Sequence, residues 1–227
     1  MTRSQRLQQV LNSAARLQEL VPDAVLVDES AAALHAGHRE SYDHDHVLID
    51  LDQRYAHVLE AVEASAGWAT SVRASRPPMT ILGSLDGVAA GLRNLRRVRP
   101  LETLRIEVAP ELYVTAPTAS EALRVKAYLV VQRNQVRDYL DVVALADHLG
   151  RGESLTVLKD IDDFYDDRSL ERGSVLTSLA LALATPSPKD TDVVTELPRY
   201  RGLVPQWHDW ANVVAACQDL ALGLVDL

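Results

Sequence analysis

One cysteine, one phenylalanine and two methionines stand among the 227 residues, and aromatic side chains make up only 5% of them. Cys217 by itself forms no internal disulfide and offers no thiolate cluster to a metal, which excludes a disulfide scaffold and a cysteine-rich zinc fold. No stretch of eighteen apolar residues occurs. The longest candidates, near Val175 to Ala184 and Val213 to Leu224, are too short or are broken by polar residues, so no bilayer span is expected. Met1-Thr2-Arg3-Ser4-Gln5-Arg6 runs into an amphipathic helix pattern and not into the apolar core of a signal peptide, so a cytoplasmic protein is expected. Internal repeats and low-complexity segments are also missing. The acidic run Asp160, Asp162, Asp163, Asp166 and Asp167 contains no glycine, which argues against a calcium loop and for the acid-rich start of a helical region.

Positive charge is scarce overall, with a net charge of −9, yet it is unevenly spread. Residues 1–72 and 151–227 each carry −6, whereas residues 73–150 carry +3, with Arg93, Arg96, Arg97 and Arg99 close together. Screening confines a charged patch to about 8 Å at physiological salt, so an acidic protein can still present a local surface for phosphates.

Apolar periodicity supplies the framework. Leu7, Val10, Leu11, Ala14, Leu17 and Val21 form a helical stripe stopped by Pro22; Val25 to Val27 is a short strand; Ala31 to Ala36 is helix-like. A second strand begins at Asp43, a helix covers Gln53 to Ser65, and Trp68 to Ala74 is a further strand candidate. Met79 to Leu85 and Val88 to Leu95 flank Asp86-Gly87 as a hairpin, and Leu104 to Val108 alternates as a strand. Thr118 and Glu121 have capping-box spacing at the head of a helix reaching Asn134, and another helix runs from Gln135 to Leu149. Residues 185–206 hold four prolines and read as a loop before a last helix from Trp207.

The chemistry concentrates in His38-Arg39-Glu40-Ser41-Tyr42-Asp43-His44-Asp45. On a strand, Asp43 and Asp45 point to one face, with Ser41 in the same alternation. Two carboxylates desolvated together repel each other unless a cation sits between them. Oxygen ligands suit magnesium or manganese, and magnesium commonly takes one or two carboxylates together with substrate phosphates. His44 and His46 alternate with the acids and so face the other way. Together with His35 and His38 they suggest zinc, but without a nearby cysteine or a helical H-x-x-x-H pattern zinc is not expected.

A strand, a turn, a short helix and a second strand bearing an acidic pair match the opening of the polymerase-beta-like nucleotidyltransferase fold. Ala32-Ala33-Leu34-His35-Ala36-Gly37-His38-Arg39 followed by Ser41, Asp43 and Asp45 resembles the AbiEii/MenT family of nucleotidyltransferase toxins. Lys126 leading to Arg133, Arg137-Asp138 and Asp141 resembles that family's K…R…R-D-x-x-D segment, and Gly91 to Arg97 with Pro100 to Thr103 resembles its actinobacterial branch. The likeness runs from about residue 24 to about residue 150. It departs from the family at Asp28-Glu29, where two small residues normally let backbone N–H groups approach phosphates.

The resemblance implies an α+β fold: a nucleotidyltransferase core with a small mixed sheet and flanking helices over 1–116, and a helical region over 117–227 that completes the nucleotide cleft. It implies that Asp43 and Asp45 hold magnesium or manganese, with Glu107 (Glu102 as the weaker choice) as a third carboxylate. Lys126 would neutralise a nucleoside triphosphate, and Asp141 would complete the catalytic set. Ser30, His38, Arg39 and Ser41 would contact phosphate, Asp138 would form a structural pair with Arg137, or else with Arg133, beside the substrate, and Arg93, Arg96 and Arg97 would meet RNA. The implied activity is nucleotide transfer to an RNA acceptor, the tRNA 3′ end, under control of a cognate antitoxin. A small-molecule nucleotidyltransferase of the aminoglycoside-modifying kind, and a catalytically weak binding homologue suggested by Asp28-Glu29, are the alternatives.

Overall fold

Ser4 starts the first helix by accepting a hydrogen bond from the Leu7 amide at 3.1 Å, and this N-cap opens a computed structural model that describes residues 4–97, 99–165 and 173–225. Asp166 and Asp167 of the acidic run lie outside the described residues. The chain folds as two units, Met1–Ala31 with Glu40–Thr118, and Ala32–Arg39 with Ala119–Leu227. The units part at Thr118, and the short early segment Ala32–Arg39 goes with the second.

The first unit contains α1 (Gln5–Leu20), β1 (Val25–Val27), β2 (Asp43–Leu48), α3 (Leu51–Glu63), β3 (Trp68–Thr70), β4 (Thr80–Leu85), β5 (Val88–Asn94), β6 (Thr103–Ala109) and β7 (Leu112–Pro117). The helix α2 (Asp28–Ala36) begins in this unit and crosses the division. Five strands form a mixed sheet in the order β1-β2-β5-β4-β3, in which β2 and β5 are the parallel pair; β6 and β7 form a separate antiparallel ribbon. One sheet face is apolar. Leu48, Ile81, Leu85, Ala90 and Leu92 pack there with Leu17 and Val21 from α1 and its exit and with Leu51, Val58 and Val62 of α3. Alternation does the rest, since residues between these positions must emerge on the opposite face.

Three expectations change. The strand from Trp68 stops at Thr70, because the Ala74 and Ser75 amides turn back onto the Ser71 carbonyl. The strand β7 has no counterpart among the elements expected from periodicity, although Val114 and Ala116 are fully buried in alternation and Glu111 makes the tight turn with φ 61°. The proline-bearing stretch 185–206 is not all loop: the proline-free interval between Pro188 and Pro198 forms α8 (Thr191–Glu196).

His44 and His46 sit on the covered side of β2, buried, with ring centroids 5.2 Å apart. His44 Nε2 donates to Ser13 Oγ at 3.0 Å, and Ser13 in turn donates to the Leu85 carbonyl. Neither ring nitrogen of His46 has a hydrogen-bond partner among the described residues. Burial pushes the His44 imidazole down to about 4 and holds His46 well below its ordinary value, an effect increased by His44. Above the unfolded value of about 6.5 both states are neutral and this source of stability is complete. As pH falls, the unfolded chain takes up protons that the folded chain refuses, so stability declines from about pH 6.5 towards 4, by an amount on the order of 3 kcal/mol for His44. Urea midpoints measured across this interval are expected to fall with acid, and His46→Leu is expected to reduce the fall. A midpoint independent of pH in that window would contradict neutral burial.

The second unit is helical: α4 (Ala119–Gln132), α5 (Val136–Leu149), α6 (Arg151–Lys159), α7 (Val175–Ala184), α8 and α9 (Trp210–Val225). Its core joins Leu123, Ala127 and Val130 of α4, Tyr139, Leu140 and Val143 of α5, and Leu179, Val213, Cys217 and Leu220. Burial pushes the Cys217 thiol up to about 12, so it serves as a small apolar group.

Candidate active site

The uncovered face of β2 carries the acids. Asp43 is exposed and Asp45 retains 20% of its side-chain surface. In the parallel register Asp45 faces Gly91 and Val47 faces Arg93, and Arg93 Nε donates to Asp45 Oδ1 at 3.4 Å. Burial raises the Asp45 carboxyl above its usual range; Arg93 opposes this, whereas the charges of Asp28 and Asp43 add to it. Arg93 is thus the one cation that the shift of Asp45 registers, and it does not offset burial and the neighbouring acids. The donors of the site are hard oxygens, which suit a magnesium or manganese ion held by two carboxylates with phosphates completing the shell.

Gly91 opens the stretch that resembles the actinobacterial branch, but nothing in that stretch marks it as a site residue. A Cβ there would stand 2.0 Å from Asp45 Oδ1 and 3.0 Å from Leu82 Cδ2. Only a residue without a side chain lets the Asp45 carboxylate lie across the neighbouring strand. Gly91→Ala should push that carboxylate aside while the sheet persists, and a displacement of about 1 Å can cost on the order of 100-fold in rate. Turnover by a variant with wild-type circular dichroism is the measurement; full activity would show that the cradle is dispensable.

Ser30 and Ser41 are buried, and their hydroxyls meet at 2.9 Å over the Asp43 carbonyl, to which both donate. They fix the helix start against β2, which is a structural use of groups expected to contact phosphate. Asp28 adopts φ 58°, the left-handed region that glycine enters most easily and that aspartate tolerates. The turn is thus kept with an acid in it, and that acid bears on Asp45. Glu107 does not join the pair: it is exposed on the β6–β7 ribbon, where its Oε1 accepts from the Glu111 amide at 3.2 Å. No group of three or more His, Cys, Asp or Glu side chains able to hold a metal forms among the described residues. Glu102, the weaker choice, is exposed just before β6. Arg97 is buried and donates to the carbonyls of Arg99 and Pro100, so it folds its own turn; Arg96 is exposed.

The second unit brings together His38, Arg39, Lys126 and Asp141, all at most 3% exposed. Arg39 grips the Asp141 carboxylate through Nε at 2.9 Å and through Nη2 at 2.8 Å and 2.9 Å. Lys126 Nζ lies 2.8 Å from Asp141 Oδ2, and His38 Nε2 lies 2.8 Å from Oδ1. Burial alone would raise the Asp141 carboxyl, but Arg39 and Lys126 overcome it and hold the group far below the usual carboxylate range. Burial lowers the His38 imidazole despite Asp141, so the ring is neutral and donates through Nε2. Asp141 is therefore a hub that orients two cations and a histidine, and none of its surface is open to substrate.

Asp138 is also buried, and its partner is Arg133, whose Nη2 donates to Oδ1 at 2.7 Å; Arg137 Nε donates to Gln135 at 2.9 Å. Of the two expected partners of Asp138, the favoured Arg137 gives way to Arg133, since consecutive helix residues point in different directions. Burial raises the Asp138 carboxyl against the pull of Arg133 and Lys126.

Among solved structures, the nucleotidyltransferase toxin MenT4 of Mycobacterium tuberculosis H37Rv superposes with a TM-score of 0.61 at 18% identity, covering 97% of this chain and 83% of that one. The fold is that of a nucleotidyltransferase. The Helicobacter pylori protein JHP933 also matches, with a TM-score of 0.55 at 15% identity over 98% of this chain and 93% of its own. No family model matches the chain. Curated relatives are of another kind. The heme uptake protein MmpL11 of M. tuberculosis H37Rv is 29% identical over 189 residues, 80% of this chain and 19% of that protein. The mycolic acid-containing lipids exporter MmpL11 of Mycolicibacterium smegmatis is 29% identical over 133 residues, 58% of this chain and 13% of its own length. The chain spans a fifth or less of the length of these relatives. No helix among the described residues is long and apolar enough to cross a membrane.

Proposed function

We propose that the protein is a toxin-type nucleotidyltransferase that moves nucleotides from a nucleoside triphosphate to an RNA acceptor, the tRNA 3′ end, and so inhibits translation. A cognate antitoxin would restrain it, and the cytoplasm, where tRNA is found, would be its compartment. The observation that carries the reading is the same-face pair Asp43 and Asp45, in a cation-poor setting, on the parallel strand of a nucleotidyltransferase fold.

In this reading Asp43 and Asp45 hold the divalent cation. When bound, magnesium or manganese polarises phosphoryl oxygens and neutralises developing charge. Gly91 leaves the space in which the Asp45 carboxylate is presented, and Arg93 balances its charge. In the second unit Lys126 and Arg39 are buried against Asp141, lysine as a point charge and arginine as a fork, and Lys126 is the residue that the family resemblance assigns to the triphosphate. Asp141 keeps both side chains in place, and the neutral His38 caps the same carboxylate. The expected Asp141 role thereby shifts from catalysis to positioning.

The test is incubation of the full chain with labelled nucleoside triphosphates, magnesium and bulk tRNA, followed by sequencing of RNA 3′ ends. Label on tRNA termini is expected. Label appearing only on small-molecule acceptors would transfer the case to the alternative enzyme class, and no magnesium-dependent nucleotide binding by calorimetry would leave a non-catalytic homologue.

A further inference from the structure

Arginines of the first unit differ in what neutralises them. Arg16 pairs with Asp86, Arg54 with Asp23 and Asp50, and Arg93 with Asp45. Arg73, Arg76 and Arg96 are exposed and have no acidic partner among the described residues. Arg76 Nη1 donates to the carbonyls of Arg73 and Ser75 at 2.9 Å and 3.1 Å, which holds its guanidinium against its own loop without cancelling the charge.

These residues are gathered by the sheet. Arg76 forms a bridge with Thr80, Thr80 is in register with Arg93, and Arg96 comes two residues after the end of β5. The end of the sheet where β4 begins and β5 leaves is therefore lined by Arg73, Arg76, Arg93 and Arg96. The same end holds Asp50 and Asp52 at the head of α3, but α3 packs on the opposite sheet face, and Asp50 is taken up by Arg54. Arg93 projects on the face of Asp45, so the cations lead up to the carboxylates.

We propose that Arg73, Arg76 and Arg96, continuing from Arg93, form a track for the phosphates of the RNA acceptor that ends at Asp45. This rests on the RNA-acceptor reading and adds to it the Arg73–Arg76 loop, which no sequence motif marks. A lone arginine gains little from an exposed phosphate, but each contact releases condensed counterions and steepens the dependence of binding on salt. The track positions nucleic acid without reading its bases.

Binding of labelled bulk tRNA to the full chain, measured by anisotropy between about 50 and 200 mM salt, gives that slope. The triple variant Arg73→Ala, Arg76→Ala, Arg96→Ala is expected to lower the slope by about two to three and to weaken binding at least tenfold at the lower salt, in proportion to roughly 0.7–0.9 counterions per contact. The corresponding triple lysine variant is expected to restore the slope, and Arg16→Ala, which removes an arginine already paired, to leave it unchanged. A triple alanine variant with the wild-type slope would overturn the track. Nucleotide incorporation in the same mixtures separates the two ideas. Wild type that binds with an arginine-dependent slope but transfers nothing upholds the track and sinks the transfer reading, whereas transfer that persists with an unchanged slope in the variant sinks the track alone.

Discussion

Asp141→Ala is expected to destabilise the helical unit by about 3–5 kcal/mol, the range for removing one member of a buried ion-pair network. The wild-type carboxylate is fully buried and meets Arg39, Lys126 and His38 at once. Without it, two buried cations lose their counter-charge, and Lys126 must either lose its proton or drag water inwards. Asp141→Asn keeps the volume but loses the charge, so it should fall between alanine and wild type. Because the folded carboxyl is held below its usual range, its contribution is complete above about pH 4 and fades only as acid protonates it further. Guanidinium titration of the variants at neutral pH is the measurement. A loss below about 1 kcal/mol for alanine would mean that the network contributes no more than an exposed pair would.

That hub also shows where sequence reasoning stops. The spacing of Asp138 and Asp141 places both acids on one side of α5, and this much is legible because helical geometry is local. Which cation each acid meets is not local: Arg39 lies 102 residues from Asp141, and its guanidinium enters from the Ala32–Arg39 segment. The same limit explains Arg133 replacing Arg137 as the partner of Asp138. Strand alternation works better. It puts Asp43 and Asp45 on one face and His44 and His46 on the other, as the burial pattern of β2 shows. Ser41 follows the alternation in sequence but lies outside β2, so its hydroxyl turns inwards to Ser30. Gly91 stands in a stretch that resembles the family, but its role is not legible there because it lies in the register with Asp45, a relation between two strands that neither strand contains by itself. The turn at Asp28 is the reverse case. The missing glycine is visible, but the backbone adopts the glycine-like conformation regardless.

Asp45→Asn is expected to abolish nucleotide transfer while leaving the fold intact, and the two halves of that expectation come from the same surroundings. Burial, Asp28 and Asp43 all disfavour a charge at Asp45, and only Arg93 favours it. A neutral amide of equal size relieves the desolvation and the like-charge repulsion. It gives up a pair with an arginine that is 45% exposed, and such a pair contributes at most about 1 kcal/mol. Thermal unfolding should therefore shift little or upwards. Catalysis responds in the opposite direction, since an amide is a weak ligand for magnesium and supplies no charge to hold a cation against the triphosphate. Losing several kcal/mol of transition-state stabilisation corresponds to a rate lower by about 1,000-fold or more. Residual transfer within about tenfold of wild type, in a variant as stable as wild type, would show that Asp45 is tuned for something other than a metal. Stability lost together with activity would instead make the acid a structural partner of Arg93. The combination of a more stable protein and a dead one distinguishes a ligand from a scaffold residue, because a site kept for chemistry retains charge that the fold would be better without.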